Sequence, residues 1–348
     1  MKLTIKVSHL VAALAAVSGA VKSRASVPIY THYLFDASDR LTIRGCDSQM
    51  QLTAHAEADV SEPGAVCLPD KIESIAKALP KDASVTIDLT NGRALVRCGK
   101  SRFTMNTLPA HEFPTMECGG EFVEIAALPD MLECVAPAMA SNDVRYYLNG
   151  ALLKSDGSKF AAVATDGHRM HVADSECGDV FDAILPSRSV AEIMKAGCRR
   201  IRFGDRMVEA HGGGVEIVSR VIDGQFPDYE AAIPPHADSV IVVGADSFRA
   251  AVSRARLLLG EHDAVKLTPA NGALGITAAS DGEDASEEID AQCSEGQSIG
   301  FNAEYLIDAA GAVRGASIEI HTRTPNDSIL VRGVGVGGLQ AVVMPMRV

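Results

Sequence analysis

Along this chain, short runs of alternating apolar and polar residues are separated by stretches with apolar positions three and four apart, the periods of strands and helices. Thr4-Ile5-Lys6-Val7 reads as a strand, Ser8 as a cap, and residues 9–18 as a helix. The same order returns at Phe122-Val123-Glu124-Ile125 followed by 128–139, where Pro129 suits a first helical turn. It returns again at 239–243, with Asp246 as cap and 247–259 as helix. A second helix also recurs: Leu68-Pro69-Asp70 opens 71–79, Leu185-Pro186-Ser187 opens 188–196, and Phe301-Asn302 opens 303–313. Alternating runs follow each of these and are expected to pair, 85–89 with 94–98, 200–203 with 215–218, and 317–321 with 329–332. Asn91-Gly92 and Gly212-Gly213-Gly214 supply hairpin turns. Phe113-Pro114 recurs as Phe226-Pro227, and 227 − 114 gives a period of 113 residues. The chain is therefore read as three tandem domains, 1–118, 119–236 and 237–348. Each has an α+β pattern of two helices packed on antiparallel sheets.

The last ten residues, 339–348, carry a strand over 340–343 that Pro345 ends, because proline has no N–H to give a sheet. Met344 and Met346 are left off the sheet at a chain end. Methionine is unbranched and polarizable, which suits it to line a groove that takes several partners.

Composition and charge narrow the class. At 348 residues the chain exceeds one ordinary core, and 47% hydrophobic with 22% charged residues fits a folded globular protein. A net charge of −13 repels nucleic acid overall, so tight counterion-releasing DNA binding is excluded unless basic residues share one surface. Lys71, Lys77, Lys81, Arg188, Lys195, Arg199, Arg200, Arg249, Arg254, Arg256 and Arg314 lie on or beside the expected helices. Acidic residues crowd expected loops such as 281–288. Eight cysteines, widely spaced and without a Cys-x-x-Cys, point to a reducing compartment, the cytoplasm, and to no metal or other cofactor. Lys2 and the apolar run 10–17 imitate a signal peptide, but the segment is one copy of the repeat. No run approaches the roughly 18 apolar residues of a membrane span.

Several longer runs resemble the bacterial sliding clamps, the β subunits of DNA polymerase III, over the whole chain. The carriers are Val17-Ser18-Gly19 with Arg24 and Pro28, residues 99–104 with Leu108-Pro109, Asp143-Val144-Arg145-Tyr146-Tyr147-Leu148-Asn149-Gly150, Val163-Ala164-Thr165-Asp166-Gly167-His168-Arg169, Phe226-Pro227-Asp228-Tyr229, and Val342-Val343-Met344-Pro345-Met346-Arg347. The resemblance implies that each chain forms half of a ring, a head-to-tail homodimer that encloses double-stranded DNA and tethers a polymerase as its processivity factor, without catalysis. Six helices side by side at ~9 Å make an arc of roughly 54 Å, too short for one chain to encircle a duplex; two chains leave a hole of roughly 24 Å. A threaded ring need not grip phosphate tightly, so an acidic body is tolerated.

The resemblance also assigns roles. Arg24, Lys71, Asn142, Tyr146, Tyr147 and Arg188 match DNA-contacting positions. Leu148, Thr165, Gly167, His168, Arg169, Met170, Pro227, Val342, Met344, Pro345, Met346 and Arg347 match a groove for short apolar peptide motifs of polymerases, clamp loader and repair proteins. Ala231 and Ala232 stand at the same groove after Glu230, where many relatives carry a basic and then an aliphatic residue, so this wall is expected to be lower. Phe103, Met105, Leu257 and Leu258 match the joint between subunits.

Three other motifs lack their context. Asp166-Gly167-His168 is a turn without a nucleophile beside it. Gly333-Val334-Gly335-Val336-Gly337-Gly338 fits Gly-x-Gly-x-x-Gly but no helix follows it. His211-Gly212-Gly213-Gly214 resembles a lipase loop, yet Gly-x-Ser-x-Gly is absent. Two alternatives stay open: a specialised clamp of a mobile element or unusual host with a narrowed partner range, and a secreted three-domain hydrolase.

Overall fold

A computed structural model describes residues 1–235, 237, 239–260, 264–280 and 282–347. Six α-helices are present among them: α1 (Val7–Val17), α2 (Lys71–Ala78), α3 (Leu128–Val135), α4 (Ser187–Ala196), α5 (Ala245–Ala255) and α6 (Ala303–Ala312). The chain folds as two compact units, Met1–Ala126 with Ala191–Val221, and Ala127–Val190 with Ile222–Val348.

The first unit holds two antiparallel sheets. One has five strands, in the order Asp59–Glu62, Lys2–Lys6, Ser84–Thr90, Arg93–Cys98, Ser101–Asn106. Among the described residues its last strand pairs only with Arg93–Cys98 and leaves its other edge free. The nine-stranded sheet joins distant sequence, because Met50–Ala56 pairs with Val215–Arg220 from Met50↔Ser219 to Ala54↔Val215. Helix α1 covers these sheets with Val7, Leu10, Ala13, Leu14 and Val17, whose spacing of three and four puts all five on one buried face. The segment that imitates a signal peptide is this helix.

Ser8 does not cap α1. Lys6 stands at the cap position, and the free N–H groups of Val7 and Ser8 donate to the backbone oxygens of Ala83 (2.9 Å) and Lys81 (3.2 Å). A neighbouring turn thus satisfies what a side chain would otherwise have to. Asp246 likewise lies inside the first turn of α5 rather than at its cap, which is Gly244. Asn302 does cap α6, its Oδ1 accepting from the N–H groups of Glu304 (2.9 Å) and Tyr305 (3.2 Å).

The expected pairing of 200–203 with 215–218 is replaced by an intervening strand, Met207–Gly212, which pairs with both. Its alternation is obscured by Glu209, a buried carboxylate held by the Arg202 guanidinium and by His211 Nε2 at 2.6 Å. Charge sits inside because it is paired there.

The second unit contains a twelve-stranded sheet. Arg169–Glu176 pairs with the last strand, Leu339–Val343, from Arg169↔Val343 to Ala173↔Leu339. This repeats the long-range join of the first unit. The acidic stretch expected as a loop is instead part of the strand Glu283–Gln292, with Asp281 outside the described residues. Ala285, Glu287, Ile289 and Ala291 alternate inward, and Glu287 accepts from Arg254 of α5 at 2.9 and 2.6 Å. Among the described residues the strand pairs from Glu283 to Asp290 with Ala273–Ser280 only, so this edge is also free; near its end Ala291 and Gln292 meet Val243 and Val242.

Several helix cations are matched by acids. Lys77 pairs with Glu73, Lys195 with Glu192, Arg254 with Glu287, and Arg314 with Asp130 and Glu133. All eight cysteines are free thiols, and burial pushes Cys46, Cys67 and Cys198 up to about 12. No helix among the described residues is long and apolar enough to cross a membrane.

Candidate functional site

The main apolar trough of the second unit is built on the hairpin joining Lys159–Thr165 to Arg169–Glu176. Its turn is fixed by Asp166, whose Oδ1 accepts from the N–H groups of His168 (2.9 Å) and Arg169 (3.0 Å). Gly167 has φ +91°, a backbone conformation that favours glycine, and a Cβ there would meet Arg145 Nη1 at 2.8 Å, so a side chain would displace that guanidinium. Arg145 is held over the turn by two bonds to Asp143 (3.1 and 2.7 Å) and one to the Asp166 carbonyl (3.0 Å). Hydrogen bonds from Arg145 pull the Asp143 carboxyl down to about 2. Asn149 closes the same loop by bonding the Asp143 backbone at both ends, 2.9 Å each.

Beneath this frame the floor is apolar, formed by buried Leu148, Met170, Tyr229 and Val342. Tyr147, Pro227, Ala232, Ser328 and Met344 stand around it, and the trough encloses about 210 Å³. Arg169 ties the hairpin to α6: Nε reaches Asp166 at 3.1 Å, Nη1 reaches Asp308 at 2.5 Å, and the guanidinium lies 4.3 Å over the Tyr305 ring. These bonds leave the trough as a preformed apolar slot with a few fixed polar groups, the form of a site for apolar side chains.

The chain end divides between two places. Met344 donates its N–H to His168 O at 2.9 Å and stands at the trough, 48% exposed. Beyond Pro345, the Met346 N–H finds its acceptor on Gly300 at 2.8 Å. That bridge draws Pro345, Met346 and Arg347 into a separate depression with Lys266, Ser298 and Asn326. Of the groove positions expected from sequence, Leu148, Thr165, Gly167, His168, Arg169, Met170, Pro227, Ala232, Val342 and Met344 come together. Pro345, Met346, Arg347 and Ala231 do not line the trough. Asp228, Tyr229, Arg145 and Ser328 line it without having been singled out. The first two follow the recurrent Phe-Pro pair, which was a usable signal; Ser328 had none.

Models of the DNA polymerase III β subunit match this chain in succession: the N-terminal domain over 1–117, the central domain over 123–228 and the C-terminal domain over 230–347. The chain belongs to the DNA polymerase III β-subunit family. Within the family it is 33% identical to the beta sliding clamp of Escherichia coli K12 and 35% identical to that of Pseudomonas putida KT2440, with all of both chains covered in each case. The crystal structure of the DNA polymerase III β subunit of Pseudomonas aeruginosa covers the full chain with a TM-score of 0.93 at 33% identity. The DnaN sliding clamp of the same organism bound to griselimycin gives 0.94 at 32%, again over the whole of both chains. The fold is thus three tandem clamp domains, and the protein is a sliding clamp of DNA replication. The hydrolase alternative is overturned by this membership; its His211-Gly212-Gly213-Gly214 run is the turn between Met207–Gly212 and Val215–Arg220.

The remaining family positions fall as follows. In the first unit Arg24 is exposed, and so is Lys71 at the start of α2. In the second, Asn142, Tyr146 and Tyr147 share one loop, and Arg188 is exposed on α4. Tyr146 is 56% exposed, whereas Tyr147 packs edge-on against it at 5.8 Å and lines the trough. Phe103 is half-buried on the free edge strand Ser101–Asn106, while Met105 is buried within its own unit. Leu257 is 78% exposed in the turn Arg256–Leu258 after α5, and Leu258 is half-buried.

Proposed function

We propose that two copies of this chain close head to tail around duplex DNA and carry the replicative polymerase along it, as a non-catalytic cytoplasmic subunit. The observation that carries this reading is the pattern of sheet joins. Twice a strand from the middle of one third pairs with the final strand of the next, Met50–Ala56 with Val215–Arg220 and Arg169–Glu176 with Leu339–Val343. The third pair of equivalents, Glu283–Gln292 and Ser101–Asn106, keeps free edges among the described residues. A join of the same kind between copies is heterologous, so it either closes or polymerises, and closure after two copies gives six repeats. The repeats are taken as 1–118, 119–236 and 237–348.

Charge favours this joint. Lys100 and Arg102 are exposed at one edge, while Asp284, Glu288 and Asp290 are exposed at the other. Because surface pairs are screened, raising salt is expected to weaken the dimer, as read by sedimentation across a salt series; a salt-independent constant would remove the charge contribution. Arg24, Lys71, Asn142, Tyr146, Tyr147 and Arg188 are the proposed contacts to the enclosed duplex. They touch phosphate and sugar rather than base edges, so the clamp slides without regard to sequence.

The trough is proposed to dock short apolar segments of polymerases, clamp loader and repair proteins. Met344→Asp is expected to weaken binding of a Leu/Phe-containing peptide by about tenfold, since it places a charge where an apolar side chain must be buried. Dimer mass and fold should be unchanged, because Met344 is half exposed. Fluorescence anisotropy with the labelled peptide checks this; unaltered affinity would remove the trough from the reading.

A further inference from the structure

The two walls of the trough differ in how their charges are compensated. On the hairpin side both arginines are committed: Arg145 to Asp143 and the Asp166 carbonyl, Arg169 to Asp166, Asp308 and the Tyr305 ring. On the opposite side Asp228 and Glu230 are exposed, and neither has a cationic partner among the described residues. Asp228 lines the trough, its Oδ1 3.4 Å from the Ala231 N–H. Glu230 Oε1 accepts from the hydroxyl of Tyr229 at 3.4 Å, and that ring is part of the floor.

The local field agrees with this geometry. Burial first, and then the charges of Glu230, Asp174 and Asp228, push the Tyr229 hydroxyl up to about 12. Asp174 is answered by Lys159 at 3.2 Å, which leaves Glu230 and Asp228 as the pair without a cationic partner among the described residues. Ala232 lines the trough on this side, and both it and the neighbouring Ala231 are exposed. With alanine at both positions, neither side chain is long enough to shield a bound residue from the carboxylates.

We infer that this trough selects peptide segments with a lysine or arginine beside their apolar anchor, and that Glu230, with Asp228, is the specificity-determining residue. The inference rests on the trough being a peptide site. An ammonium or guanidinium placed over this wall meets two carboxylates without a cationic partner among the described residues, while a glutamate at the same position is repelled.

The test uses the full chain and two labelled peptides with one shared Leu/Phe anchor, differing only in lysine or glutamate next to it. Anisotropy is expected to give about threefold to tenfold tighter binding of the lysine peptide at low salt, narrowing as salt rises. Glu230→Lys should invert the order, and Asp228→Asn should shrink it. Both positions are exposed, so the fold should survive; retained dimer mass and unfolding midpoint check that. Equal affinity for the two peptides, or an order unmoved by Glu230→Lys, overturns this specificity and leaves the trough as a peptide site. Binding of neither peptide overturns both.

Discussion

Lysines at both Leu257 and Leu258 are expected to make this protein a monomer at micromolar concentration, with the dimer dissociation constant raised on the order of 100-fold or more. Helix α5 ends at Ala255, and the turn Arg256–Leu258 then packs beside the strand Glu283–Gln292 whose edge is free. Leu257 is 78% exposed there among the described residues, an unusual place for a large apolar side chain. Burying two leucines against a second copy contributes about 3–6 kcal/mol, and replacing them with charges adds the cost of a desolvated, unpaired ammonium. Leu259 packs on the core of its own unit and is left intact, so the variant should keep its unfolding midpoint. Sedimentation of the double variant, with Leu258→Lys alone as an intermediate case, reads the effect. An unchanged mass would place the joint elsewhere.

Lowering the pH from about 7 to about 4.5 is expected to cost roughly 2 kcal/mol of stability through His171 alone. The side chain is 1% exposed, and its Nδ1–H donates to the Cys134 carbonyl of α3 at 2.8 Å, while Nε2 has no partner among the described residues. Burial, the largest influence, drives its pKa from 6.5 to about 4, with the Arg169 charge acting in the same direction and the bond to Cys134 opposing. The folded form therefore holds a neutral ring where the unfolded chain takes up a proton. Stability is fully present above the unfolded pKa of 6.5 and is lost as pH falls through the folded value of about 4. His171→Gln removes the titration, so the fall in unfolding free energy over this interval should be smaller in the variant than in the native protein by about 2 kcal/mol. Urea unfolding of both at the two pH values measures it. Parallel losses would show that His171 does not stay neutral in the fold.

How far the chain could be read from its sequence depended on whether local pattern or distant pairing decided the outcome. Leu10, Leu14 and Val17 declare α1 by spacing alone, and Asn302 declares the start of α6. Ser8 and Asp246 lie inside helices that start earlier, at Val7 and Ala245, where the first N–H groups are met by the backbone oxygens of Ala83, Lys81 and Ala316 rather than by a capping side chain. Met207–Gly212 was missed because a buried Glu209–Arg202 pair breaks the alternation that marks a strand. Glu283–Gln292 was missed for a related reason, since its acids line an exposed edge and one inward carboxylate is answered by Arg254. The trough brings Leu148, Met170, Tyr229 and Val342 together from four separate segments, which no periodicity announces. Resemblance found most of that set. It did not separate Met344 from Met346, because the bond from Met346 to Gly300 depends on where a distant strand lies.

Retention on DNA by threading is tested most directly on a nicked circular plasmid. The protein is assembled on the circle by lowering the salt, isolated with it at high salt by gel filtration, and the plasmid is then cut once. Threading predicts that protein stays with the intact circle and runs off the linear product, with the Leu257→Lys, Leu258→Lys variant absent from both. Equal retention on circular and linear DNA would contradict it.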